Sequence, residues 1–239
     1  MTIFFNFCSL AASIFCFSAG FRLHRSYQKI KMEALKAYSR GFFFVGLAYF
    51  FLALPGMFVF NPVSVQVGFV LVDICFLLAI FFSAPSLLGV SEKLRHYKKY
   101  VFYFTLTYLL IYVFLSVFFF SPAFPLTRDH TIYYWKPGTP LIQSMARGFA
   151  VLCALFMSAF FFYWAKVALE KIVRYRSFFI GLGNLIIATA GFIFWFSPFF
   201  YFSPSLLIFS GFLGLSGFMI GVVNTTVFRL PKEISDSET

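Results

Sequence analysis

Acidic residues are scarce in this sequence. Only eight Asp and Glu stand among 239 residues, and charged residues of both signs make up 11%, where an ordinary soluble domain carries roughly a quarter. So little charge excludes a water-soluble globule, because a folded chain of this length must still expose much of its surface. Cysteine is also sparse: Cys8, Cys16, Cys75 and Cys153 all fall in apolar runs. Cys8 and Cys16 would share one helix at about 12 Å of rise, too far apart to bridge. No disulfide framework and no metal-ligand spacing is present, so the four read as small packing residues.

The motifs of common catalytic sites are missing as well. There is no glycine-rich phosphate loop, no G-x-S-x-G elbow and no H-E-x-x-H. His24, His96 and His130 fall in expected loops, so no bis-histidine haem pair is expected between helices. An intramembrane hydrolase needs a nucleophile with a base, or paired acids. The apolar core offers one acid and no histidine, so an enzyme is not expected, nor are catalytic residues, a metal or a cofactor.

What is abundant is hydrocarbon. Hydrophobic residues make up 61%, 41 of them phenylalanine, and the mean hydropathy is +0.88. A spanning helix needs about 20 mostly apolar residues, since each rises ~1.5 Å through ~30 Å of hydrocarbon. Seven windows qualify: 3–21, 41–60, 65–90, 101–121, 145–166, 177–197 and 205–227. They are continuous rather than alternating, which excludes a barrel of strands. The first lacks the basic lead of a signal peptide in MTIFFNF and reads as a retained helix. The expected fold is an all-α polytopic membrane protein: one seven-helix domain over 1–230, then a short tail over 231–239.

Charge sets the expected orientation. The segments RLHRSYQKIKMEALKAYSR, SEKLRHYKK and KVALEKIVRYR, with the tail RLPKE, hold sixteen of the nineteen Lys and Arg. Arg128, Lys136 and Arg147 are left on the other side. Basic loops stay cytoplasmic, which puts the N-terminus outside and the C-terminus inside, in the plasma membrane. The net charge of +11 is then a topology signal, with attraction to anionic lipid second. Nucleic acid is not an expected partner, because the cations sit in short loops against the membrane rather than on one exposed face.

A faint internal echo runs through the chain. GLAYFFLALPGMFVF aligns with GLGNLIIATAGFIFW, so that Gly46 meets Gly181 and Ala53 meets Ala188. FSAGF at 17–21 resembles MSAFF at 157–161, Asn61-Pro62 corresponds to Ser203-Pro204, and Gly68 to Gly211. The pattern suggests a parallel 3+1+3 duplication, with the fourth helix as an inverting linker and sites expected between the triplets.

Asp73 is the odd residue of the third window, about 13 Å deep. An acid there costs approximately 2.5 to 3.5 kcal/mol on insertion scales and usually faces the bundle interior with a partner. No intramembrane Lys, Arg or His is expected to pair with it. Two readings stay open. Asp73 is a ligand, ion or proton site together with Thr189 and Ser216, or it is a neutral acid hydrogen-bonded to a neighbouring helix. Asn184 and Asn224 are expected to make polar contacts between helices. Pro55 and Pro85 fall within helices two and three, where each removes a backbone bond.

The longest outer loop carries TIYYW and PLIQ on either side of KPGT, which suits a type II turn closing a small hairpin. Tyr134 and Trp135, with Tyr133, either cap a ligand from outside or anchor at the interface. Asp129-His130 alone is too little for a metal.

Three families resemble parts of this pattern. Microbial rhodopsins share the topology, but LLIFSGFLGLSGFMIGVVN has no lysine for retinal. SWEET-type sugar transporters are similar in layout and length, although helices five and six lack their central prolines. The short loops and the sixth helix, R-x-FFIGLGNLIIATAG, resemble the seven-helix membrane sensor regions of prokaryotic histidine kinases. That last resemblance implies a non-enzymatic, sensor-like or accessory membrane protein whose protein partner docks on the basic cytoplasmic loops. The SWEET resemblance implies instead a small-solute transporter with a small-molecule site between the triplets.

Overall fold

The computed structural model describes residues 2–31, 33–54, 61–90, 95–128, 131–200 and 204–227. Seven α-helices account for nearly all of them: α1 Thr2–Ile30, α2 Glu33–Ala53, α3 Pro62–Val90, α4 Lys98–Phe118, α5 Pro140–Val167, α6 Lys171–Phe200 and α7 Pro204–Val227. A 3₁₀ turn, Arg95–Tyr97, leads into α4, and two strands, β1 Phe124–Arg128 and β2 Thr131–Lys136, stand between α4 and α5. Five stretches are long and apolar enough to cross a membrane: Asn6–Lys29, Pro62–Ser86, Arg95–Phe118, Pro140–Val167 and Lys171–Phe194. The fold is that of an integral membrane protein. α2 opens with Glu33, Lys36 and Arg40, and in α7 the apolar run among the described residues is Ile208–Ile220.

Several helices outrun their apolar windows. The basic segment expected as the first loop is mostly helix, since α1 continues through His24 to Ile30 and α2 starts at Glu33. Its residues explain this: QKIK and EALKAY hold good helix formers and no Gly or Pro. The turn falls at Lys31, the described non-glycine residue with positive φ, at 59°. Its N–H closes on Tyr27 O at 2.7 Å, the left-handed cap that ends many helices. Pro85 lies inside α3, whereas Pro55 lies outside the described residues.

Six helices form a closed ring. α1 packs on α2 and α2 on α3; α5 packs on α6 and α6 on α7; α3 meets α5, and α7 returns to α1. α4 stands outside the ring against α3, with a smaller contact to α5. Close approach relies on glycine. Ser13 Oγ donates to Gly46 O at 2.8 Å between α1 and α2, and a Cβ on Gly46 would lie 3.0 Å from the Phe17 ring. Ser158 Oγ donates to Gly181 O at 2.8 Å between α5 and α6, and a Cβ on Gly181 would lie 3.1 Å from the Phe162 ring. Small residues let helix backbones approach where lipid supplies no hydrophobic drive for association. The large exposed side chains, such as Tyr100, Leu110, Phe114 and Phe118 on α4, face hydrocarbon, where their exposure carries no penalty.

The hairpin differs from the one expected. β1 pairs antiparallel with β2, Phe124 opposite Lys136 and Pro125 opposite Trp135, so the Pro-Gly of KPGT follows the second strand and does not join the pair. PLIQ begins α5, with Pro140 in the first turn. Proline suits that position because its missing N–H would have no helical partner there.

Candidate functional site

The bundle's buried charge is gathered at one place. α3 starts at Pro62, so Asp73 sits about 16 Å along it, and Gln66, seven residues earlier, lies on the same face two turns above. α5 starts at Pro140 and carries Gln143 and Arg147 one turn apart on one face. α4 contributes Tyr112, which is buried.

These side chains close on one another. Arg147 Nε donates to Asp73 Oδ1 at 3.0 Å, and Tyr112 OH donates to Asp73 Oδ2 at 2.8 Å. Arg147 Nη2 donates to Gln143 Oε1 at 2.8 Å, and its guanidinium carbon lies 5.7 Å from the centre of the Phe69 ring. The side chains of Arg147 and Asp73 are 4% and 0% exposed. A charge this deep is costly alone and tolerable only when paired and hydrogen-bonded. Both carboxylate oxygens are occupied, one by an ion pair to α5 and one by a hydroxyl of α4.

The expectation that Asp73 has no cationic partner is therefore corrected. The apolar window beginning at 145 placed Arg147 at the outer boundary, but α5 starts five residues earlier and holds it two turns inside. Thr-Pro at 139–140 is the signal that locates the true helix start. From there, Gln143 and Arg147 fall on one face. Tyr112 and Gln66 carry no comparable signal, because one Tyr among 13 and one Gln near a helix end are unremarkable without the fold.

The polar chain continues outward to the hairpin. Gly138 N donates to Gln66 Oε1 at 2.9 Å, and Gln66 Nε2 donates to Thr139 Oγ1 at 3.0 Å. Gln143 N donates to Thr139 O at 3.2 Å, and Ala123 N to Pro62 O at 3.1 Å. A Cβ on Gly138 would collide with the carbonyl oxygens of Ser121 and Pro122, so the base of the hairpin requires glycine. Trp135 is 3% exposed and packs with Val65, Phe69 and Ala123.

The remaining candidates lie elsewhere. Thr189 is exposed on α6 and its hydroxyl donates to its own helix, at Leu185 O, 2.9 Å. Ser216 is half-buried on α7 and donates to Leu213 O at 2.8 Å. Neither is brought to Asp73. Asn184 is half-buried on α6; Asn224 lies on α7 and Tyr134 on β2, with side chains outside the described residues.

Between α1, α2, α3, α6 and α7 is a cavity of about 40 Å³, whose walls include Ser9, Tyr49, Phe76, Phe194, Ser210 and Gly214. Asp73 is not among its walls. The volume suits a water or two, far below the several hundred Å³ of a solute site. Among the described residues no three or more His, Cys, Asp and Glu gather as a metal site would require. No family model, curated protein or solved structure matches the chain.

Proposed function

We propose that this is a seven-span membrane protein, N-terminus outside and C-terminus inside the cell membrane, acting as a non-enzymatic sensor-like or accessory protein. One observation carries the reading: the buried acid is consumed by structure. Asp73 spends both oxygens on Arg147 and Tyr112, and the cavity described between helices of the two triplets, about 40 Å³, is too small for a solute. A transport site would present an acid of this depth to a water-filled path. The outer loop retains Arg128 and Lys136 as its Lys and Arg residues once Arg147 is withdrawn into α5, which sharpens the charge asymmetry that orients the chain. The basic inner ends, Arg22 to Arg40, Arg95 to Lys99 and Lys166 to Arg176, are where a protein partner would dock.

The reading includes an internal duplication of α1–α3 and α5–α7. Its support is the repeated clasp, a serine donating to a glycine carbonyl with a phenylalanine one turn later over the same glycine. Ser13 and Gly46 are 33 residues apart, against 23 for Ser158 and Gly181. The first connection is therefore longer, and Ser13, not Ser18, is the counterpart of Ser158. A twofold axis along the membrane normal would exchange α1 with α5 and α3 with α7. It would thus turn the α3–α5 seam into the α7–α1 seam, and both seams exist.

A transporter is the second reading, favoured by the cavity's position between helices of both triplets. Purified protein in liposomes separates the two. The sensor-like reading expects no uptake across a panel of small sugars, amino acids and ions. Uptake that Asp73→Asn abolishes would overturn it.

A further inference from the structure

α4 is held differently from the other described helices. It lies outside the ring, and its buried residues are Thr105, Tyr112 and Ser116. Thr105 turns its hydroxyl back onto Val101 O at 2.8 Å and Phe102 O at 3.0 Å. Ring contacts supply much of the rest: Phe102 with Phe81 on α3 at 4.7 Å, and Tyr108 with Phe149 on α5 at 4.6 Å. Apolar surface released from such contacts is taken up by lipid, since hydrocarbon solvates it as well as protein does. The directional bond from Tyr112 to Asp73 therefore weighs heavily in fixing where α4 sits.

Its two ends are connected to different things. Outside, α4 runs through residues 119–123 into β1, and β2 runs through 137–139 into α5. The hairpin is thus the physical link between α4 and α5, and Gln66 and Pro62 fasten its base to α3. Any displacement of that base moves Thr139, then Gln143 and Arg147, which lie one and two turns below it on α5. Arg147 shares its carboxylate with Tyr112. Inside, the 3₁₀ turn and the first residues of α4 carry Arg95, His96, Lys98 and Lys99, all exposed.

We propose that α4 is a transmembrane lever: the outer hairpin is its handle, the Tyr112–Asp73 hydrogen bond its latch, and the basic cluster 95–99 the output presented to an inner partner. This deepens the sensor-like reading, on which it rests, by naming the input and output of the same polar site. Tilting one helix against a fixed ring requires no rearrangement of the α1–α2 or α5–α6 clasps.

Distances between spin labels test it in the full chain, reconstituted in lipid nanodiscs with Cys8, Cys16, Cys75 and Cys153 replaced by alanine. One label pair sits on exposed positions of α4 and α5, Tyr103→Cys and Tyr163→Cys. A control pair sits on α1 and α6, Phe21→Cys and Phe178→Cys. Tyr112→Phe should shift the α4–α5 populations on the order of tenfold or more toward a second distance, the equivalent of one hydrogen bond to a charged group. Gln66→Leu, which frees the hairpin base without touching α4, should populate the same second distance. The control pair should not change in either variant. A single unaltered α4–α5 distance in Tyr112→Phe overturns the lever. So does a response in Tyr112→Phe with none in Gln66→Leu, or equal movement of the control pair. Solute uptake in liposomes would sink the sensor-like reading without altering these distances, so the two failures are separable.

Discussion

Removing either charge of the Asp73–Arg147 pair should be far more damaging than removing both. In Asp73→Leu the guanidinium, 4% exposed in the native protein, loses the Asp73 counter-charge, and in Arg147→Met the carboxylate loses its ion pair and keeps the Tyr112 hydroxyl. Breaking a buried pair from one side costs about 3–5 kcal/mol. At roughly 2–4 °C per kcal/mol for a chain of this size, each single variant should lose about 6–20 °C of melting temperature. The double variant Asp73→Leu/Arg147→Met removes both desolvation penalties and fills the volume with hydrocarbon, which is often neutral or stabilising. It should melt within a few degrees of wild type, a coupling of about 3 kcal/mol or more by a double-mutant cycle. Thermal unfolding in nanodiscs, followed by intrinsic fluorescence, measures all four proteins under one condition. If the losses of two charge-removing single variants simply add in their double, the pair is not a unit and the site's description is wrong.

Glycine substitutions should rank by what each new Cβ meets. Among the helical glycines, Gly214→Ala finds only the Ala190 side chain at 3.7 Å and should be silent or stabilising, whereas Gly217→Ala meets the Gly183 backbone oxygen at 2.9 Å and should lower the melting temperature most. Gly46→Ala meets only the movable Phe17 ring, so a helix gain of about 1 kcal/mol offsets the crowding, whereas Gly181→Ala also meets the Ser158 backbone oxygen at 3.2 Å and should cost more; the reverse order would refute the ranking. Gly138→Ala should loosen the hairpin base and open exposed Lys136 to trypsin from the outer side, while cleavage elsewhere is unchanged. Epitope tags inserted near residues 30 and 130 should be protected on opposite sides of sealed vesicles; a shared compartment would remove the proposed topology.

Hydropathy located the helices but not their ends. It marks where charge begins, and charge begins at the membrane surface, whereas a helix stops where its backbone bonds run out. That difference hid the α1 and α2 extensions, where Gln28, Lys29, Glu33 and Lys36 are polar or charged and still helix-forming. It also hid Arg147. The apolar window opens at 145, five residues after α5 begins at Pro140, although Thr139-Pro140 marks that start and places the cation inside. The depth of Asp73 was readable, since eleven residues of helix from Pro62 fix it. Its partners on α4 and α5 lie 39 and 74 residues away and follow only from how the helices are arranged around the ring. The hairpin was misplaced because Pro-Gly in KPGT suits a turn, and equally a strand end followed by a helix whose first turn carries proline. Local chemistry permits both, and the Gln66 clamp on Gly138 and Thr139 selects the second.

The two seams of the ring need not be equivalent even if the triplets are copies. The α3–α5 seam carries the ion pair and is buttressed by α4, so separating it would expose two charges to hydrocarbon. Along the α1–α7 seam the buried side chains are uncharged and mostly small: Ser9, Ala12, Cys16 and Ser210, with Gly214 beside them and Phe218 packed on Ala12 and Cys16. Nothing charged lines the cavity behind it, so parting those helices would replace protein contacts with lipid contacts of similar worth. Any opening of the ring is therefore expected at α1–α7, away from Asp73. Cys8, on the cavity wall, is the natural reporter. In a variant with the other three cysteines replaced by alanine, a membrane-permeant thiol reagent should modify Cys8 faster than it modifies Cys75 in the corresponding Cys75-only protein. The reverse order would argue against an opening at α1–α7.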